Sequence, residues 1–167
     1  SSFPLRQLYW RRRGRIPDQP TPDSDGCGAI ACSPTVLFRG RDVHEITTIV
    51  DQLFERHGFE PNVTLICAGP RHIDMVVLVV YDREVPGEDE RAMALHDELL
   101  AAVCERGYYP YRLGVQSMDA LPESQGDYAY LQTQIRAALD PAGILAPGRY
   151  DFESKRSDQH KRGGTPT

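Results

Sequence analysis

Met75-Val76-Val77-Leu78-Val79-Val80-Tyr81 is the stretch on which the fold turns. It is mainly β-branched, with Gly69-Pro70 before it and Pro86-Gly87 after it. β-Branched side chains fit a pleated surface, and Gly and Pro mark where a strand must stop. The run predicts a strand. Just upstream, Val63, Leu65 and Cys67 alternate with Thr64 and Ile66, which predicts a second strand, antiparallel to the first and joined to it by a tight connection.

Helices flank this pair. Asp42 followed by Glu45 has the form of a capping box, and Ile46, Ile49, Val50, Leu53 and Phe54 then fall on one helical face, with Gly58 placed to end it. Residues 89–106 put Ala92, Leu95, Leu99 and Val103 on one stripe and close at Gly107. Residues 28–38 are apolar and short, suiting a buried first strand interrupted or ended at Pro34, and Tyr108 to Val115 reads as a last strand. The order strand, helix, strand, strand, helix, strand predicts an α+β, ferredoxin-like fold: an antiparallel sheet with two helices on one face. A short C-terminal helical segment is added, capped by Asp127, striped by Leu131, Ile135 and Leu139, and stopped at Asp140-Pro141.

Pro4, Pro17, Pro20 and Pro22 bar a long helix from residues 1–26, which are expected to form an extended arm. Residues 151–167 are charged, Gly-rich and poor in apolar side chains, the composition of a disordered tail. The expected division is an arm at 1–26, a sheet domain at 27–116, a helical segment at 117–150 and a tail at 151–167.

Composition excludes some functions. At 167 residues and 40% apolar content there is material for one main core, and no apolar run approaches the length of a membrane span. A net charge of -5 argues against a general nucleic-acid binder, and the basic run Arg11-Arg12-Arg13-Gly14-Arg15 is too local to reverse that. Cys27, Cys32, Cys67 and Cys104 fit no zinc spacing and read as reduced, mostly buried thiols of a cytoplasmic protein. His72 and Asp74 lie two apart on a strand and so face one side, open to an acid-base or metal reading or to a structural one. His44, His57, His96 and His160 read as solvated residues of helix surfaces or the tail, and no metal cluster is expected.

Three stretches are more specific. They are Asp25-Gly26-Cys27-Gly28 with Ser33-Pro34 and Arg39-Gly40; Gly107-Tyr108-Tyr109-Pro110-Tyr111-Arg112; and Leu139-Asp140-Pro141-Ala142-Gly143-Ile144-Leu145-Ala146-Pro147-Gly148-Arg149. In this order and spacing, from about Tyr9-Trp10 to Tyr150, they resemble the vanillyl-alcohol oxidase and p-cresol methylhydroxylase (4-cresol dehydrogenase) family of FAD-linked oxidases, in its C-terminal cap region. In that family the third stretch carries an Asn where Ala142 stands.

The resemblance implies an FAD-dependent oxidoreductase that oxidises para-substituted phenols, with residues 27–116 as the cap over the flavin ring and 117–150 returning to an FAD domain that would precede Ser1. It implies Tyr111 and Arg112 as catalytic residues at the phenolic oxygen, Tyr108 and Tyr109 as further aromatic walls, and Arg149, Asp140 and Gly143 as cofactor-binding. A permanent guanidinium and a tyrosine hydroxyl suit that task, because an ionised phenol loses benzylic hydride more easily. Implied partners are a small aromatic substrate, the FAD domain or a subunit supplying it, and a second copy of the chain.

Two positions depart from the family. No His or Tyr lies between Trp10 and His44, so FAD is expected to be held non-covalently. Asp74 and Met75, after Pro70-Arg71, stand where the family has paired histidines. The competing reading is a non-catalytic ferredoxin-like binding module, or a partner subunit lacking its own FAD domain.

Overall fold

The computed structural model describes residues 3–12, 16–120 and 127–146. Its elements are α1 (Phe3–Arg6), β1 (Cys27–Cys32), β2 (Thr35–Leu37), α2 (Gly40–His57), β3 (Asn62–Ile66), β4 (His72–Asp82), α3 (Glu88–Glu105) and α4 (Asp127–Leu139), with 3-10 turns at Gln7–Tyr9 and Val115–Ala120. The chain divides into two units, Ser1–Gly114 and Val115–Thr167.

In the first unit the predicted strand becomes β4, the centre of an antiparallel sheet. β3 pairs along one edge of it, and β1 and β2 pair along the other. Between the pairs Cys32↔Val77 and Thr35↔Asp74 both chains advance equally, so the register runs through Pro34 unbroken. The Met75 N–H donates to the Pro34 carbonyl at 2.9 Å, but Pro34 has no N–H to return. One missing bond therefore splits the expected first strand into β1 and β2.

Burial alternates along β4. Ile73, Met75, Val77 and Val79 are buried while His72, Asp74, Val76 and Leu78 are half-buried, so one face of the sheet is covered. α2 and α3 pack on each other and on the sheet. α2 buries Ile46, Ile49, Val50, Leu53 and Phe54, and α3 buries Ala92, Leu95, Leu99 and Val103, the stripes read from the sequence. Burying a large aliphatic or aromatic side chain of this kind contributes about 1.5–3 kcal/mol. The fold is thus the expected α+β one, an antiparallel sheet with helices, and its core lies between β4 and the two long helices.

Several local expectations are corrected. Tyr108 to Val115 is not a strand: it meets the sheet through one isolated bridge, Pro34↔Pro110. The Thr35 N–H donates to the Tyr109 carbonyl at 3.0 Å and the Tyr111 N–H to that of Ser33 at 3.2 Å. These bonds flank the prolines, so Pro34 and Pro110 meet at a non-hydrogen-bonded position, where neither needs an N–H. The ladder goes no further. The capping box is also absent, since Arg39 precedes α2 without a side-chain cap. Asp42 pairs instead with Arg39 at 3.4 Å and Arg41 at 3.2 Å.

The N-terminal arm is not extended throughout, because α1 and the turn after it give it helical structure. Tyr9 is buried and its hydroxyl donates to Asp25. Arg11 binds Glu88 and Glu60, each at 2.6 Å, while Arg12 binds Asp82 at 3.2 Å and Glu84 at 2.9 Å. The described part of the basic run is an internal clamp.

His96 is buried, not on a solvated surface. It occupies the apolar i+4 position after Ala92, where the stripe outweighs the polarity of the residue. Of the cysteines, Cys27 and Cys32 are buried, Cys104 is half-buried and Cys67 is exposed, and all are free. Among the described residues no group of three or more His, Cys, Asp or Glu could hold a metal, and no helix is long and apolar enough to cross a membrane.

The second unit contains the predicted helix, α4, from Asp127 to Leu139. It buries no side chain, and Tyr128, Leu131, Ile135 and Leu139 form an exposed apolar stripe. Arg149, Tyr150 and the tail at 151–167 lie outside the described residues.

Candidate functional site

The face of the sheet opposite the helices gathers the residues of interest. In an antiparallel sheet directly paired residues point to the same side, so register assigns each side chain to a face. Thr35 pairs with Asp74, and Asp74 with Ile66. The bridge at Pro34↔Pro110 sets Tyr109 opposite Thr35 and Tyr111 opposite Ser33. Asp74 alternates with the buried Ile73 and Met75, so this set lies on the open face. Tyr109, Thr35, Asp74 and Ile66 form one row, and Tyr111 and Ser33 belong to the next.

Tyr111 is 48% exposed and Tyr109 42%, so both rings are presented outward. The Arg112 guanidinium folds back over the Tyr111 ring, 5.8 Å from its centre, at the outer limit of a cation–π contact. No carboxylate among the described residues pairs with Arg112. The predicted catalytic pair is thus brought together as a free cation beside a phenol ring and hydroxyl.

Tyr108 belongs elsewhere. Its hydroxyl donates to Glu45 of α2 at 2.9 Å, on the helix side, and desolvation together with that acceptor raises its pKa. Only Tyr109 of the two expected aromatic walls shares the face with Tyr111. Thr35 had drawn no attention in the sequence, yet its hydroxyl donates to Asp74 Oδ1 at 2.8 Å. The signal that could have found it is the pairing of residues 28–38 with β4. His72 shares the face with Asp74, but its ring lies where a side chain at position 69, in the β3–β4 connection, would meet it.

Asp140 and Gly143 are brought together in the second unit. The Asp140 carboxylate accepts from the Ile144 N–H at 2.9 Å and the Leu145 N–H at 2.8 Å, and its carbonyl accepts from the Gly143 N–H at 3.0 Å. The Leu145 and Ile144 amides hold the carboxyl below its ordinary range. Gly143 has φ +64°, a left-handed conformation that explains glycine there. Asp140 is used in building this turn.

The residues present suit the ring end of a flavin: a cation and two aromatic side chains on an open face. Among the described residues, the first turns of the two long helices provide no phosphate cradle. The first turn of α3 carries Glu88, Asp89 and Glu90, which repel an anion, and that of α2 is already neutralised by Asp42.

This defines an α+β sheet domain with an aromatic and cationic open face, and similarity places it among known proteins. No family model matches the chain. It is 45% identical over 148 residues to a 1'-carboxy-chondrochloren decarboxylase of Chondromyces crocatus, an alignment covering 89% of this chain and 27% of that protein. It is 33% identical over 125 residues to the 4-cresol dehydrogenase [hydroxylating] flavoprotein subunit of Pseudomonas putida, covering 74% of this chain and 24% of that protein.

Solved structures share the fold. Substrate-bound p-cresol methylhydroxylase superposes with a TM-score of 0.66 at 30% identity, over 77% of this chain and 25% of that one. The isoeugenol complex of 4-ethylphenol oxidase from Gulosibacter chungangensis gives 0.64 at 25% identity, over 74% of this chain and 24% of that one. The chain spans about a quarter of the length of the relatives it matches. Over that span it is similar to p-cresol methylhydroxylase and 4-ethylphenol oxidase.

Proposed function

We propose that this chain is the cap portion of an FAD-dependent oxidoreductase acting on para-substituted phenols. The carrying observation is the Tyr111-Arg112 pair on the open sheet face, with the guanidinium 5.8 Å from the ring centre and no described acidic partner. FAD, when bound, supplies the acceptor for a hydride leaving the benzylic carbon. Arg112 holds the phenolic oxygen as its anion, and the Tyr111 hydroxyl donates to the same atom. Once a ligand covers the face and excludes water, both act in a low-dielectric setting, where fixed donors and charges are worth most.

The remaining site residues enter the proposal through the second unit. Asp140 shapes the turn that presents Gly143 toward the cofactor, and Arg149, outside the described residues, keeps its expected cofactor-binding role. The exposed stripe Leu131, Ile135, Leu139 packs against the FAD domain. FAD is held without a covalent bond to this chain, since the described residues from Arg11 to Val43 contain no His or Tyr.

A second reading draws on the 45% identity to a decarboxylase. Arg112, with its planar fork of donors, suits a carboxylate as well as a phenolate. The substrate would then carry a carboxyl group and lose it as CO2, the electron pair of the broken C–C bond passing to the flavin.

Expression of the segment within its full coding region, with an absorption spectrum, tests both. A yellow protein bleached anaerobically by a 4-alkylphenol, with bleaching lost in Arg112→Ala, supports phenol oxidation. Bleaching only by a carboxylated ring, with release of CO2, favours the second reading. A full chain that binds no flavin returns the segment to a non-catalytic binding module or partner subunit.

A further inference from the structure

We infer that Asp74 is a specificity-determining residue of this face, selecting rings that carry a second hydrogen-bond donor, a hydroxyl or amino group, on the side away from Arg112. The inference rests on the proposed phenol site and adds a substrate feature to it.

Three observations lead here. First, Asp74 is the carboxylate of a row that otherwise holds Thr35, Tyr109 and the directly paired Ile66, with Val76 next on the same side. A strand there needs no acid. Second, its hydrogen bonding is half complete. The Thr35 hydroxyl uses its single proton on Oδ1 at 2.8 Å, and no other group among the described residues donates to the carboxylate. Oδ2 is left as an acceptor oriented by a bond to its neighbour, on a residue already half-buried.

Third, the spacing fits. Strands lie roughly 4.8 Å apart and same-face residues on one strand roughly 6.7 Å apart, so backbones two strands and one row apart, as at Tyr111 and Asp74, are separated by about 12 Å. Side chains of one face stand roughly perpendicular to the sheet, so a similar span separates their polar ends, and one aromatic ring with a hydrogen bond at either side fills it.

A ring covering this face strips water from Asp74. If it brings a donor, the exchange is even; if it brings none, a carboxylate oxygen is left unpaired, which is costly in a dry site. Sites built to hydrogen-bond a substrate group reject analogues lacking it far more strongly than apolar pockets reject a missing methylene. The face is also polar in a directed sense, with Arg112 drawing the anionic end of the substrate and Asp74 repelling an anion at the other.

The test uses the full flavin-bearing chain and two substrates, a 4-alkylphenol and the same ring with an added hydroxyl, in wild type, Asp74→Asn and Asp74→Val. Valine suits a strand and removes both charge and acceptor; asparagine keeps an acceptor. In wild type the hydroxylated ring is expected to have the larger kcat/KM. The ratio of the two values is expected to fall at least about tenfold in Asp74→Val and less in Asp74→Asn, with the plain phenol turned over as well or better. An unchanged ratio, with both variants still oxidising the phenol, reduces Asp74 to a structural partner of Thr35 and overturns the inference while leaving the phenol site standing. If neither ring bleaches the wild-type flavin, the phenol site and the inference fall together.

Discussion

Arg11 reaches across 77 positions of sequence to Glu88, donating from Nη2 at 2.6 Å and from Nε at 3.2 Å. Glu88 is 3% exposed and also accepts the Asp82 N–H at 2.6 Å, so one carboxylate ties the arm, the end of β4 and the start of α3. Removing its charge leaves a half-buried guanidinium short of a partner. Glu88→Gln is expected to lower stability by about 2–3 kcal/mol, read as a reduced urea midpoint with little change in slope. An unchanged midpoint would show that the clamp carries no load.

The same residues set an acid limit. Burial alone would raise the pKa of Glu88, but the Asp82 amide and the hydrogen bond and charge of Arg11 outweigh it and hold it below the ordinary value. Asp25 is lowered chiefly by the Tyr9 hydroxyl. For groups whose folded pKa is depressed, the stability gained is present above the unfolded value and is lost as pH falls through the folded one. The melting temperature is therefore expected to drop below about pH 4, less steeply in Glu88→Gln than in wild type. Tyr9 runs the other way: desolvation and Asp25 push it up to about 12, so its contribution is lost only as the solution becomes strongly alkaline.

Arg112 should not tolerate a merely conservative change. Lysine keeps the charge but loses the planar fork of donors. In the full flavin-bearing chain, Arg112→Ala is expected to slow flavin reduction by a 4-alkylphenol about 10²–10³-fold, with Arg112→Lys recovering only part of this. Stopped-flow absorbance reads both, and equal rates for all three proteins would remove Arg112 from the site.

Gly28 lies beneath the Tyr81 ring, in the space a Cβ would take. The two residues are directly paired across β1 and β4, so neither backbone can move aside without disturbing the ladder. Gly28→Ala is expected to destabilise the sheet by about 1–3 kcal/mol. Gly28→Ala combined with Tyr81→Ala should recover part of the loss in a denaturation cycle.

The stripe on α4 gives a prediction that depends on context. Leu131→Ser with Ile135→Ser should leave the melting temperature of the isolated segment within about 2 °C, because neither side chain is buried in it. In the full chain the same pair should cost several degrees. Equal effects in the two settings would rule out a packing role for this face.

Much of the fold was legible because periodicity survives folding. β4 announced itself through its β-branched run, and α2, α3 and α4 through stripes that match the residues buried or left bare. What failed was decided by groups distant in sequence. Tyr108 to Val115 has a plausible strand composition, but two prolines meeting at one bridge allow no further ladder, and only the register shows that they meet. His96 reads as polar until the stripe from Ala92 to Val103 is closed around it. The basic run at Arg11 read only as too local for nucleic acid, and its internal pairing was hidden because Glu60, Asp82, Glu84 and Glu88 lie far along the chain. Tyr111-Arg112 was marked by family resemblance alone, while Thr35 and the orientation of Asp74 required the paired strands.

The meeting of Pro34 and Pro110 also bears on what neighbouring molecules can do. A bare strand edge is a row of open N–H and C=O groups on which another chain can grow, the first step toward aggregates. Where β1 gives way to β2 that row is met by residues 109–111, and neither residue at the crossing has an N–H to offer. At that junction the edge is blunted by the segment that carries the aromatic and cationic pair, so local resistance to self-stacking and presentation of the site depend on the same few residues.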